Sequence, residues 1–170
     1  MTKSDRITTR RPNEGITVVQ TAVSYGFAEL LRSLDACIKA ERPLQREVAD
    51  IFAANFDAAL AEAEQARDAL LASLIAVIEL PEELPTDRVL RLMAMALKSL
   101  LSIECDEDRM YLADALMQNA QILEVQGAHP TTRAVRRVQQ HFFCSCALLM
   151  SCEDFSGPGP DGDGACGPAL

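Results

Sequence analysis

The chain has 170 residues, a formal net charge of −9 and 49% hydrophobic residues, with aromatics at 5% and no tryptophan. That length suits one domain with an aliphatic core. The acidic total argues against general nucleic-acid binding, whose affinity comes largely from phosphate neutralisation, and against an anionic membrane surface.

The charge is uneven. Lys3, Arg6, Arg10 and Arg11 face only Asp5 and Glu14 within residues 1–14, a surplus of two that leaves −11 on the remainder. No run approaches the ~18 apolar residues of a membrane span. The N-terminus, Met-Thr-Lys-Ser-Asp-Arg, lacks the apolar core of a signal peptide. These features predict a soluble, cytoplasmic, acidic protein, in which the six cysteines read as thiols rather than disulfides.

From residue 15 to 152 the pattern is helical throughout, with no strand-like alternation. The expected fold is all-α: a single-domain, up-and-down bundle of about five helices. Residues 1–14 and the Gly/Pro-rich 153–170 are expected to be disordered tails.

The first helix is expected to start at Thr17, where Thr17-Val-Val-Gln20 fits a capping box. Its inner face is Val19, Val23, Phe27, Leu30, Leu34 and Ile38, with Thr21, Ser24, Arg32, Asp35 and Lys39 opposite. Pro43 should end it and open a second helix. That helix reads as continuous from Leu44 to about Leu80, roughly 55 Å at 1.5 Å per residue. Phe52, Phe56, Ala59, Ala63, Ala66, Leu70, Leu74 and Val77 approximate a heptad seam. Two readings follow: an ordinary bundle helix, or a homodimer seam through Phe52, Phe56, Ala59 and Ala63.

After Pro81 and Pro85, Thr86 and Asp87 should cap a third helix with an inner face of Val89, Met93, Ala96, Leu97, Leu100 and Ile103. Asp106, Glu107 and Asp108 open a fourth, facing inward with Leu112, Leu116, Met117, Ala120 and Leu123 and stopping at Gly127. A fifth begins near Thr131 or Thr132 and runs to about Cys152.

Two clusters carry potential chemistry. On the fifth helix, His141 and Cys144 lie about 60° apart around the axis, whereas Cys144 and Cys146 diverge by about 200°. Only His141 and Cys144 can therefore share one ion, zinc or copper, and a complete site needs a ligand from elsewhere. The competing reading makes Cys144, Cys146 and Cys152 small core residues. Arg133, Arg136 and Arg137 form a basic patch. Nucleic-acid recognition is disfavoured by the total charge, and pairing with Asp106, Glu107, Asp108, Asp114 or Glu124 is the alternative.

Glu-x-x-His, P-loop, G-x-S-x-G and H-E-x-x-H motifs do not occur, so no catalytic residue is singled out. The leading expectation is a non-catalytic interaction or regulatory protein that self-associates and has an unidentified protein partner. The alternatives are a metal- or thiol-responsive protein using His141 and Cys144, and a small-molecule-binding or enzymatic bundle with Met93, Met95, Met110 and Met117 as pocket lining.

Overall fold

A computed structural model describes residues 19–47 and 56–152. The fold is all-α. Five helices follow in order: α1 (Ala22–Glu47), α2 (Phe56–Glu79), α3 (Pro85–Ser102), α4 (Asp106–Gln118) and α5 (Pro130–Met150), with a 3-10 turn at Ala120–Leu123 between the last two. Each packs against its successor and α5 returns against α1 and α3, an up-and-down arrangement. No helix among the described residues is long and apolar enough to cross a membrane. Both expected tails, Thr17 and Phe52 lie outside the described residues.

The core follows the helical periodicity. Val23, Phe27, Leu30, Leu34, Cys37 and Ile38 of α1 meet Leu70, Leu74 and Val77 of α2. Leu90, Met93, Ala94 and Leu97 of α3 and Val135, Phe142, Cys146 and Leu149 of α5 close the same cluster. Phe27 and Phe142 stack at 5.7 Å between ring centroids, joining the first helix to the last. Ala40 and Leu44 form a smaller cluster with Ala63, bordered by Phe56 and Ala59.

Several expected boundaries move, each for a local reason. Helix α1 does not stop at Pro43 but continues through it to Glu47, so Leu44 belongs to α1 and packs back on α2. Pro43 is exposed; a proline removes one intrahelical hydrogen bond, and burial of Leu44 beyond it offsets that loss. The N-terminal cap of α1 is Thr21 rather than a solvent-facing residue. Its Oγ1 accepts the Ser24 N–H at 3.1 Å while Ser24 Oγ accepts the Thr21 N–H at 2.9 Å. This is a capping box with serine in the usual Glu/Gln position.

Helix α3 begins at Pro85, the first-turn position that proline suits. Asp87, not Thr86, satisfies the preceding backbone: its Oδ2 accepts the N–H groups of Glu83 and Leu84, both at 2.9 Å. The last turn of α2 has no basic residue of its own. Arg91 of α3 supplies the missing donors, reaching the Ile78 carbonyl at 3.0 and 2.7 Å.

Helix α4 departs furthest from expectation. It stops at Gln118 rather than Gly127, and none of its residues is buried. Met117, assigned inward by periodicity, is 46% exposed. Gly127 instead takes φ +124° in the connection to α5, a conformation that glycine adopts without strain. His129 caps α5 by accepting the Thr131 N–H on Nδ1 at 3.3 Å.

Candidate functional site

Because α4 only partly buries Leu112, Ala113 and Leu116 and buries no residue fully, its inner side and the helices below it leave an apolar cleft. The floor comes from Ala96 and Leu100 of α3 and from Phe142, Phe143, Cys146, Ala147 and Met150 of α5. Met110, Ala113, Leu116 and Met117 of α4 roof it, with Leu123 at one end and Asp114 as its one charged lining residue. Its volume is about 160 Å³. An enclosed apolar cavity of about 150 Å³ admits a benzene ring, and this cleft of similar size opens to solvent past Met110 and Met117.

The sequence builds this space with small side chains. Ala96, Ala113 and Ala147 come from three different helices, and no bulky residue fills the gap where they converge. Phe142 and Phe143 meet edge to face at 5.6 Å and hold the α5 wall in place. Methionines at the rim can change rotamer at little cost and so adapt to differently shaped guests. Cys146 adds a thiol to the floor. Burial pushes it up to about 12, so it stays protonated at neutral pH and behaves as a small apolar group.

The chain beyond α4 is anchored by polar bonds. Gln139, buried on α5, donates to the Leu123 carbonyl and to Met93 Sδ at 3.7 Å. Arg136 donates to the Val125 carbonyl at 2.9 Å and lies 3.4 Å from Glu124. At the other end Arg109 reaches the Ile103 carbonyl at 2.7 Å and Asp106 at 2.9 Å. The segment is therefore tied at both ends and loosely packed in the middle.

The residues singled out from the sequence take other places. His141 Nε2 lies 3.0 Å from Asp35 Oδ2, and Ser145 Oγ donates to Asp35 Oδ1 at 2.8 Å, joining α5 to α1. Cys144 is exposed and so is not a core residue, unlike Cys146 and Cys152. Among the described residues no three His, Cys, Asp or Glu side chains converge as a metal centre requires.

Arg133 donates to the Ala128 carbonyl at 3.2 Å, and Arg136 is engaged as above. Arg137 is exposed, with no hydrogen bond or ion pair among the described residues. Asp106, one of the expected partners of these arginines, is taken by Arg109 instead. Phe56, Ala59 and Ala63 face Ala40 and Leu44 of α1 within the chain.

Met110 and Met117 do line the cleft, whereas Met93 is fully buried in the core and Met95 is exposed. Sequence reasoning placed Ala96 inward but missed Ala113, Ala147 and Phe143; the available signal was an alanine on each of three helices at core-facing or rim positions. Comparison of the chain with family models, with curated proteins and with solved structures finds no match.

Proposed function

We propose that the chain is a non-catalytic binding protein that takes a small apolar molecule into the cleft between α3, α4 and α5. One observation carries the reading. A helix with no fully buried residue roofs an apolar space lined by Met110, Leu116, Met117, Phe143 and Met150. A packed interior ordinarily leaves few voids larger than a water molecule, and an apolar space of this size beneath an adaptable helix admits a guest about as large as a benzene ring.

Filling the cleft tests this. Ala113→Phe and Ala147→Phe should each occupy the space and abolish displacement of 1-anilinonaphthalene-8-sulfonate by toluene or octanol. The unmodified chain should bind these probes saturably and melt at a higher temperature in their presence. Equal binding by the unmodified and filled variants would overturn the reading.

A second reading, self-association, is favoured by Tyr111 and Ile122, which are 79% and 75% exposed on and just after α4. Large apolar side chains held in solvent are the material of an interface. In this reading Tyr111→Glu with Ile122→Glu converts a dimer to a monomer in sedimentation equilibrium, and an already monomeric parent chain sinks it. Free thiols at Cys37, Cys144 and Cys146, two of them buried, support a reducing, cytoplasmic setting for either reading.

A further inference from the structure

A second and larger cavity lies at the end of the bundle where α1, α3 and α5 begin, with a volume of about 530 Å³. None of its lining residues borders the cleft under α4, so nothing below rests on that site. One wall is apolar, made by Val19, Leu84, Val89 and Val125. The facing wall is the first turn of α5, a helix of 21 residues whose first turn holds no carboxylate.

The donors in that first turn can be accounted for one by one. Pro130 has no N–H to give. The Thr131 N–H goes to His129 Nδ1 at 3.3 Å, and Thr131 Oγ1 accepts the Val19 N–H at 3.2 Å. The Arg133 N–H closes the first helical bond on the His129 carbonyl at 3.0 Å. Thr132 is left over. It is 8% exposed and lines the cavity, and its hydroxyl has no hydrogen-bond partner among the described residues.

A buried hydroxyl without a partner is uncommon and calls for an acceptor. The helix N-terminus behind it favours a negative one. At α3 the equivalent place is already taken, because Asp87 satisfies the backbone there. At α5 the His129 ring takes the Thr131 N–H, and no carboxylate stands in the first turn.

We propose that this cavity binds a small organic carboxylate with a short apolar body. One carboxylate oxygen accepts the Thr132 hydroxyl at the positive end of α5, and the apolar body rests on Val19, Leu84, Val89 and Val125. The charge of the guest follows from the surroundings. Glu124 also lines the cavity, held toward Arg136 at 3.4 Å. A monoanion meets one fixed carboxylate whose charge is partly answered, whereas a phosphate dianion meets twice the repulsion and has no group to place on the apolar wall.

Isovalerate, its neutral amide isovaleramide and inorganic phosphate serve as probes on the full chain, followed by amide chemical shifts. Isovalerate should bind saturably, with shifts centred on Thr86, Val89, Thr131 and Thr132. Isovaleramide and phosphate should bind at least about tenfold more weakly. Thr132→Val keeps the shape and removes the hydroxyl, and should weaken isovalerate by about tenfold with its helical circular dichroism unchanged. Thr132→Ser should retain binding and stands in should the valine variant not fold, since loss of binding in a folded serine variant counts against the proposal. Three results overturn it: no saturable shifts up to about 10 mM isovalerate, equal binding of the amide or of phosphate, or undiminished binding by folded Thr132→Val. The last would leave Thr132 as a hydroxyl satisfied by water alone.

Discussion

The Thr21 hydroxyl donates to Asp87 Oδ1 at 2.7 Å, joining the cap of α1 to the first turn of α3 across 66 residues of sequence. Both side chains are buried, at 4% and 1% exposure. The Asp87 carboxylate thus accepts three hydrogen bonds, two from the backbone ahead of α3 and one from α1. One side chain sets the start of one helix and its position against another.

Replacing Asp87 with alanine strands two backbone N–H groups and a buried hydroxyl. The expected loss is about 3 kcal/mol, read as a lower urea midpoint at unchanged slope. Asp87→Asn keeps one acceptor oxygen and should lose less. Thr21→Val leaves the two backbone bonds to Asp87 intact but removes the α1 cap to the Ser24 N–H, and should cost about 1 to 2 kcal/mol.

Glu41 of α1 is 2% exposed and is held by the Arg67 Nε and Nη2 of α2, a bidentate pair on a partly exposed guanidinium. Arg67→Met leaves a buried carboxylate without its main partner and should destabilise by about 3 kcal/mol. Adding Glu41→Leu to that variant should restore most of the loss, because an apolar pair of similar volume avoids the desolvation cost. A double-mutant cycle in urea measures both effects.

The thiols separate by burial. Burial, aided by the Glu41 charge, pushes Cys37 up to about 11, and burial alone pushes Cys146 up to about 12. Iodoacetamide at neutral pH should therefore modify exposed Cys144 first and reach Cys37 and Cys146 only on unfolding. The unfolded thiol value of 9.0 lies below both folded values. Their contribution to stability is thus full below pH 9 and falls as pH rises toward 11 and 12. Cys146→Ala should flatten part of that alkaline loss in melting curves taken across pH 8 to 11, and an unchanged slope would contradict the assignment.

Much of the architecture was legible in the residues. Of the expected inner face of α1, Val23, Phe27, Leu30, Leu34 and Ile38 recur at steps that only a helix places on one side and are buried, while Val19, which precedes the helix, is exposed. Leu70, Leu74 and Val77, then Met93, Leu97 and Leu100, follow the same rule. The failures came where tertiary structure overrides a local signal. Thr17-x-x-Gln20 resembles a cap more closely than Thr21-x-x-Ser24, yet α1 starts at Ala22, where Thr21 caps it and also meets Asp87. Periodicity placed Leu112, Leu116 and Met117 inward because it reports direction and says nothing of depth. A helix can point its apolar side at its neighbours and still stand off from them. The cleft was half legible for that reason: Met110 and Met117 could be named, while the alanines opposite them gain meaning only once three helices converge.

Pro43 offers a simple check on one of those overrides. It sits exposed inside α1, where alanine would restore a backbone donor without disturbing the core. Pro43→Ala should stabilise the chain by about 1 kcal/mol or more, seen as a raised melting temperature. A lower one would mean that the bend proline imposes is needed to seat Leu44 against Ala63.

The loosely packed inner side of α4 has a consequence for hydrogen exchange and for affinity alike. Amides in α4 should exchange through a local opening that costs far less than global unfolding, while those of α1 and α5 exchange near the global limit. Any guest of the cleft needs α4 seated, so its apparent affinity is the intrinsic one scaled by the seated fraction. Substitutions on the outer face of α4, such as Tyr111 or Gln118, can then tune binding without touching the guest.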